Sequence, residues 1–314
     1  MRDSFFPGAT YIHVLHTIPI ESEPHKPNLS LPPAMHGLRK DELQREMCAA
    51  ADLILAVGPR VFERLGSFPG GDGKIHQLVP GLSYDLLRSA KRLGALPLPR
   101  VLWIGRTEDR HLKGLPAFMH MASLLQHERL DGVRYPKMVV RGLTPETIGN
   151  EINQLSAIAP FETRAVEWYP YTTDQAELLR DYQSSSCFVM PSLFEAFGLV
   201  AFEAIAVGLP AIVSSESGVG RFLLEQHRGV RGGIGLPDDA VLDVYDDPAR
   251  TAGEWCTAIR RRLRDPKAAF EEAALLRERL AGAITWEACT AELVKFLNST
   301  APRDERDASA PRQP

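Results

Sequence analysis

No stretch of this 314-residue chain approaches the roughly 18 consecutive apolar residues that a membrane-spanning helix requires. The N-terminal MRDSFFPGATYIHVLHTIPI has no basic lead before a clean apolar run, since Pro7, Gly8, His13 and His16 break it. No secretory leader is read there, and a cytoplasmic location is expected, with peripheral attachment to a membrane left open. Cysteine is scarce: Cys48, Cys187, Cys256 and Cys289 lie far apart with no CxxC pair, which favours buried reduced thiols over disulfides or a zinc site. Neither sign of charge dominates, because 36 Lys and Arg against 40 Asp and Glu leave a formal net charge of −4. General attraction to nucleic acid is thereby excluded as a function, and an anionic ligand needs a local site. A GxGxxG fingerprint after a first strand is missing, which removes an NAD-dependent Rossmann enzyme. No Asp-x-Asp pair follows a strand, while Asp238-Asp239 and Asp246-Asp247 fall in loops where solvation explains them, so neither a metal nor a cofactor is expected.

What is present is alternation. RVLWIG (100–105), KMVVRG (137–142), TRAVEW (163–168), SCFVMP (186–191) and PAIVSS (210–215) are short apolar strands, and helical patterns separate the first four near 114–128, 145–158 and 174–183, with another near 198–208. Strands apolar on both faces predict a parallel sheet covered by helices on both sides. Such sheets bind ligands beyond the carboxyl ends of their strands, which places the loops after Gly105, Gly142, Pro191 and Ser215 at the site. Before residue 100 the pattern yields three strands, at 11–18, 52–57 and 74–79, with helices near 38–50 and up to about Leu65. The segment 80–99 ends in a Pro-rich connector, and helices are expected near 248–264, 266–281 and 285–297.

Two glutamates break the apolar run PSLFEAFGLVAFEAIAVGLPAIVSS (191–215). Gly198 is expected to open a helix whose first N–H groups and positive dipole end face the strand termini, a place suited to an anion. Glu203 lies roughly 7.5 Å along that helix and its side chain tilts back toward the start. Glu195 approaches from the loop. An anionic centre flanked by polyhydroxyl units satisfies all three features, and a nucleotide diphosphate sugar has that shape. The plain alternatives are a solvated loop residue for Glu195 and an exposed helix position for Glu203. In GRTEDRHLKG (105–114), Arg106 and Lys113 bracket a second loop at the sheet edge and could neutralise a departing diphosphate; helix-start solvation is the competing explanation for Lys113.

On these two stretches, with the late TWEACTAELVKFL (285–297), the chain resembles the retaining glycosyltransferases of family GT4, which have the GT-B fold. The resemblance runs from about His16 to Leu297. It implies an α/β fold of two facing Rossmann-like domains: a complete C-terminal one with a parallel sheet and a truncated N-terminal one. The divisions expected are a partial acceptor-side domain at 1–95, a nucleotide-sugar-binding domain at 96–284, a helix at 285–298 packing back on the N-terminal domain, and a disordered tail at 299–314. It further implies that Glu195 and Glu203 are the acids of an E-x7-E motif touching donor sugar and ribose. Arg106 and Lys113 would hold the diphosphate, with Gly105 nearby, while Phe197, Gly198, Leu199 and Val200 give backbone contacts. His16, in HVLHTIP, matches a strand-end histidine facing the cleft, although a hydrogen-bonded structural histidine is an equal reading. The chain departs from the family in two places. SESGVGRF stands where a Gly-Gly pair is usual, so Gly218 would serve alone, and the N-terminal half lacks the first strand and glycine-rich loop that help hold the acceptor. The expectation is a metal-independent retaining transferase taking a nucleotide sugar donor and an unknown acceptor (sugar, lipid-linked or small molecule). The alternative is a catalytically idle nucleotide-sugar-binding or regulatory module. Transfer to a specific acceptor is expected to be weak or absent unless upstream sequence or a partner chain restores the N-terminal domain.

Overall fold

The computed structural model describes residues 9–23, 33–66, 73–89, 98–127, 136–146 and 148–300. Two parallel sheets form from the two alternating regions. The N-terminal sheet has three strands in the order β1-β2-β3, namely β1 (Ile12–Leu15), β2 (Leu53–Val57) and β3 (Ile75–Leu78). Its helices are α1 (Pro19–Ser22), α2 (Pro33–Ala50) and α3 (Pro59–Gly66). Helix α2 starts at Pro33 rather than near 38, since proline is tolerated in a first helical turn whose N–H groups have no intrahelical acceptor.

The C-terminal sheet has six strands: β4 (Arg100–Ile104), β5 (Lys137–Leu143), β6 (Val166–Pro170), β7 (Cys187–Met190), β8 (Ala211–Ser214) and β9 (Val241–Leu242). Their order, β6-β5-β4-β7-β8-β9, runs outward from β4 in one direction and then outward from β7 in the other. The crevice between β4 and β7 is therefore the topological switch point, where open parallel sheets bind ligands.

Strand alternation divides the core into two layers. Val101 and Trp103 of β4 pack with Leu115 and Phe118 of α5 (Leu115–Leu125) and with Trp255 and Ile259 of α10 (Pro248–Arg264). Leu102 of the same strand faces the opposite layer with Phe202 of α8 (Leu199–Val207) and Phe222 of α9 (Gly218–Gly229). Helices α6 (Ile148–Ser156), α7 (Gln175–Gln183), α11 (Pro266–Ala281) and α12 (Trp286–Thr300) complete the chain, with α4 (Tyr84–Arg88) between the sheets. The cysteines Cys48, Cys187 and Cys256 are buried and free, and burial pushes the Cys187 thiol up to about 12.

The two halves share packing. Leu15, Ile54 and Ala56 of the small sheet cluster with Val61 and Leu65 of α3 and also with Leu112, Phe194 and Ala196 of the large domain. On the other side His76 of β3 stacks on Phe296 of α12, with ring centroids 4.7 Å apart. The segment expected as a connector is fastened down over its described part: Leu82 N–H donates to Ile284 O (3.1 Å) and Arg277 Nη2 to Leu87 O (2.6 Å).

Several boundaries move. Thr163–Ala165 form a 3-10 turn, so β6 starts at Val166. Helix α12 runs to Thr300, past the division placed at 298, and residues 301–314 of the expected tail lie outside the described residues. Helices α1, α4 and α9 and the two-residue strand β9 have no counterpart in the sequence reading. Helix α9 was hidden by glycines in its first turn, yet Ser217 caps it by accepting from Gly220 N–H at 3.0 Å.

Candidate functional site

The loops after β4, β5 and β7 meet the ends of β1 and β2 around a cleft of about 510 Å³. His16, Gly105, Arg106, Lys113, Glu195 and Glu203 all line it, as do Phe197, Gly198, Leu199 and Val200. These residues, expected at the site from the sequence, thus reach one cavity, although their side chains are disposed differently there, and Gly218 is not among its lining.

Lys113 is held by a tight loop. Its N–H donates to Asp109 O (2.9 Å), its carbonyl accepts from Trp103 Nε1 (3.1 Å), and Leu193 N–H donates to Leu112 O (2.9 Å). Gly114 follows in a left-handed conformation (φ 69°), so close to β7 that a Cβ there would lie 1.8 Å from the Pro191 carbonyl oxygen. This contact binds the β4 loop to the β7 loop across the switch point. The Lys113 ammonium consequently meets Glu195 Oε2 in an ion pair, with both side chains largely withdrawn from solvent. Main-chain bonds fix the acid's segment. Gly218 N–H donates to Glu195 O (2.9 Å), and Glu195 N–H to Glu216 O (3.4 Å). Gly218 therefore spends its N–H on the Glu195 carbonyl, which corrects the expectation that it stands in for a ligand-binding glycine pair.

Glu203 sits on α8, whose cap is Gly198 in a left-handed conformation (φ 103°). Gly198, Leu199 and Val200 bring to the cleft the first turn of a helix, where N–H groups lack intrahelical acceptors. Glu203 is half-buried and Oε2 accepts from the Tyr182 hydroxyl at 2.9 Å, so it is no exposed helix position. Burial raises its carboxyl pKa above the ordinary glutamate value, and the Tyr182 hydrogen bond works in the opposite direction. Burial, reinforced by the Glu203 charge, pushes the Tyr182 phenol well above its usual range. The same hydroxyl reaches Val200 O at 3.1 Å.

Arg106, Gly105 and Phe197 fit their expected places less well. Arg106 reaches only the rim: its side chain is 64% exposed and pairs with Asp109 at 2.7 Å. Gly105 donates its N–H to Arg141 O (3.0 Å) in the sheet ladder. The Phe197 ring is core, packed edge-on against Phe202 at 5.3 Å, and its carbonyl accepts from Val219 N–H. His16 lies exposed at the end of β1, on the opposite wall.

Sequence reasoning missed Tyr182 and Arg141. Arg141 lines the cleft from β5, buried, with two bonds to Asp181 of α7 (2.6 and 3.1 Å) and its guanidinium 4.8 Å from the Tyr169 ring centroid. Adjacent α7 residues thus hold two groups of the site, Asp181 gripping Arg141 and Tyr182 gripping Glu203. Their spacing in sequence carries no motif. Asp239 is engaged by Arg261 and Arg262, and Asp247 caps α10 by accepting from Ala249 N–H, so both have structural partners. Among the described residues no group of three or more His, Cys, Asp or Glu is placed to hold a metal ion.

Two Rossmann-like units sharing a cleft, with charged loops at the switch point, define an α/β protein of the GT-B architecture. Solved structures share it. Sucrose-phosphate synthase from Thermosynechococcus elongatus superposes with a TM-score of 0.69 at 20% identity, covering 92% of this chain and 67% of that one. Anabaena Alr3699/HepE, in complex with UDP and glucose, gives 0.68 at 15% identity over 94% of this chain and 73% of that one. A profile described as Family 4 Glycosyltransferase in conflict systems matches residues 1–293, and the chain belongs to that family. Among curated relatives, D-inositol 3-phosphate glycosyltransferase 1 of Catenulispora acidiphila is 28% identical over 223 residues, 64% of this chain and 51% of the relative. The chain spans about half the length of such relatives. No helix among the described residues is long and apolar enough to cross a membrane.

Proposed function

We propose that the chain binds a nucleotide diphosphate sugar in this cleft and transfers the sugar to an acceptor with retention of anomeric configuration, without a metal ion. The observation that carries the reading is the convergence of the Lys113–Glu195 pair, the open first turn of α8 and Glu203 in one cavity. The diphosphate fits between the helix start and the Lys113 ammonium, with Arg106 swinging from the rim. The ribose hydroxyls reach Glu203 and the sugar lies toward Glu195 and His16. As the bond from the anomeric carbon to the diphosphate oxygen breaks, its electron pair goes to that oxygen and Lys113 meets the growing charge. The acceptor oxygen attacks on the same face of the sugar, and its proton passes to the departing phosphate. Glu195, paired with Lys113, releases the cation to the diphosphate and turns to the sugar hydroxyls.

Family membership and the glucose- and UDP-containing complex of a fold neighbour support this reading. The test is calorimetric titration of UDP, GDP and ADP, then turnover of matching nucleotide sugars with and without EDTA. Binding with EDTA-insensitive release of nucleoside diphosphate is expected. A strict requirement for Mg²⁺ or Mn²⁺ overturns the metal-free mechanism, and binding without any release favours the idle module.

A further inference from the structure

Arg60, in the first turn of α3, belongs to the small N-terminal domain, yet its side chain is only 11% exposed because it reaches across the seam. Nη1 donates to the main-chain carbonyl of Glu216 and lies 2.6 Å from Glu216 Oε2. Nη2 lies 2.9 Å from Glu21 Oε2. The guanidinium also covers the Phe194 ring, 4.6 Å from its centroid.

Each contact adjoins a candidate site residue. The Glu216 carbonyl that accepts from Arg60 is the one that accepts from Glu195 N–H. Phe194 immediately precedes Glu195, so the guanidinium braces the acid's segment from both sides. Glu21 stands in α1, on the turn that leaves β1 just after His16. One planar fork therefore joins the loop carrying His16 to the loop carrying Glu195.

We propose that Arg60 is a positioning residue for sugar transfer, fixing Glu195 against the His16 wall by gripping the Glu216 carbonyl, the Phe194 face and Glu21 at once. The assignment of Glu195 to the donor sugar rests on the proposed function; the grip itself rests on the contacts alone. A lysine cannot replace it, because an ammonium on a flexible stem has no rigid fork and stacks less well on a ring. The same seam offers an internal control. Arg221 of α9 pairs with Glu63 of α3 through side chains 31% and 50% exposed, and its Nη2 also lies 3.5 Å from Glu216 Oε2, so the control substitution is made at Glu63. If Arg60 were only a staple between domains, losing the Arg221–Glu63 pair would act in the same way.

The experiment compares the full chain with Arg60→Met, Arg60→Lys and Glu63→Gln, by hydrogen–deuterium exchange of peptides spanning 193–198 and 214–218 and by kcat and KM on whichever nucleotide sugar the parent consumes. Exchange in both peptides should rise about tenfold in Arg60→Met and less in Arg60→Lys, while Glu63→Gln matches the parent. kcat should fall by about 10- to 100-fold in Arg60→Met, as displacement of a reacting geometry does, with donor KM within about twofold. Unchanged exchange in Arg60→Met, or an equal effect of Glu63→Gln, overturns the assignment. If the parent consumes no nucleotide sugar, the transferase reading fails alone and the exchange arm still decides the role of Arg60. Should Arg60→Met not fold, Arg60→Lys carries the comparison.

Discussion

Tyr182→Phe removes one oxygen from a buried position and isolates the chemistry of Glu203. The lost hydroxyl donates to Glu203 Oε2 at 2.9 Å, and it counters the burial that raises the carboxyl pKa. A hydrogen bond to a charged group is worth about 1.5–3 kcal/mol, and one pKa unit corresponds to about 1.36 kcal/mol. The protonated acid also accepts from a phenol, so only part of that energy discriminates between the two forms. The variant's Glu203 should therefore titrate higher than the parent's, because burial is no longer opposed by the phenol. If the ionised carboxylate receives the ribose hydroxyls, nucleoside diphosphate binding weakens as pH falls through this pKa. Calorimetric Kd values across the range give a variant-to-parent ratio in which the ligand's own phosphate titration cancels. The ratio should be flat above both midpoints, rise as pH falls through the variant's, and level off below the parent's. A pH-independent ratio refutes the coupling of Tyr182 to ribose binding through Glu203, and a ratio that decreases as pH falls means that Tyr182 does not favour the carboxylate. The fold carries the same linkage. A raised folded pKa gives stability that is complete below the unfolded value of 4.5 and lost as pH rises through the folded one, so the variant's thermal midpoint should decline over a wider span than the parent's.

Two further substitutions test the loop that presents the cation. Lys113→Ala should lower kcat by about 10² to 10³ with a much smaller change in nucleoside diphosphate Kd, since the charge it meets grows as the bond breaks; an unchanged kcat would remove Lys113 from the reaction. Gly114→Ala places a methyl against the Pro191 carbonyl in a left-handed backbone, and denaturant titration should report a loss of more than about 2 kcal/mol. An unchanged midpoint would mean that the β4 loop is not pinned to β7 as described.

The parallel sheets and the edge that lines the cleft were legible because parallel strands buried on both faces must be apolar throughout, as LILAV and CFVM are; the strand order was not. The fixed grammar of strand, loop and helix then put Lys113, Glu195 and Glu203 at one edge before any distance was known. What escaped was the set of residues that act through others. Arg60 lies 156 positions from Glu216, and Tyr182 lies 21 from Glu203, so neither pairing has a local period. Arg60 reads in PRVFERLG as an ordinary solvated helix residue, and Tyr182 as one more apolar position on α7. Long-range polar pairing is settled by how the two domains meet, which no single window of sequence contains.

The two glutamates, eight residues apart, face opposite electrostatic partners, and this difference separates their roles. Glu195 meets an ammonium, and on the proposed function that ammonium would exchange the carboxylate for a diphosphate once the donor arrives, so the pair would act as a charge reserve. Glu203 meets a neutral phenol in a buried setting, where its charge is costly and further hydroxyl donors would favour the carboxylate. On the proposed function, a ribose supplying such donors would relieve that cost, and the Glu203 interaction would be complete on binding. The Lys113–Glu195 pair instead gains its value as charge develops. Glu203 variants should accordingly shift Kd and Lys113 variants kcat, and a reversal of that pattern would require the donor to lie in the cleft with its ribose and its diphosphate exchanged.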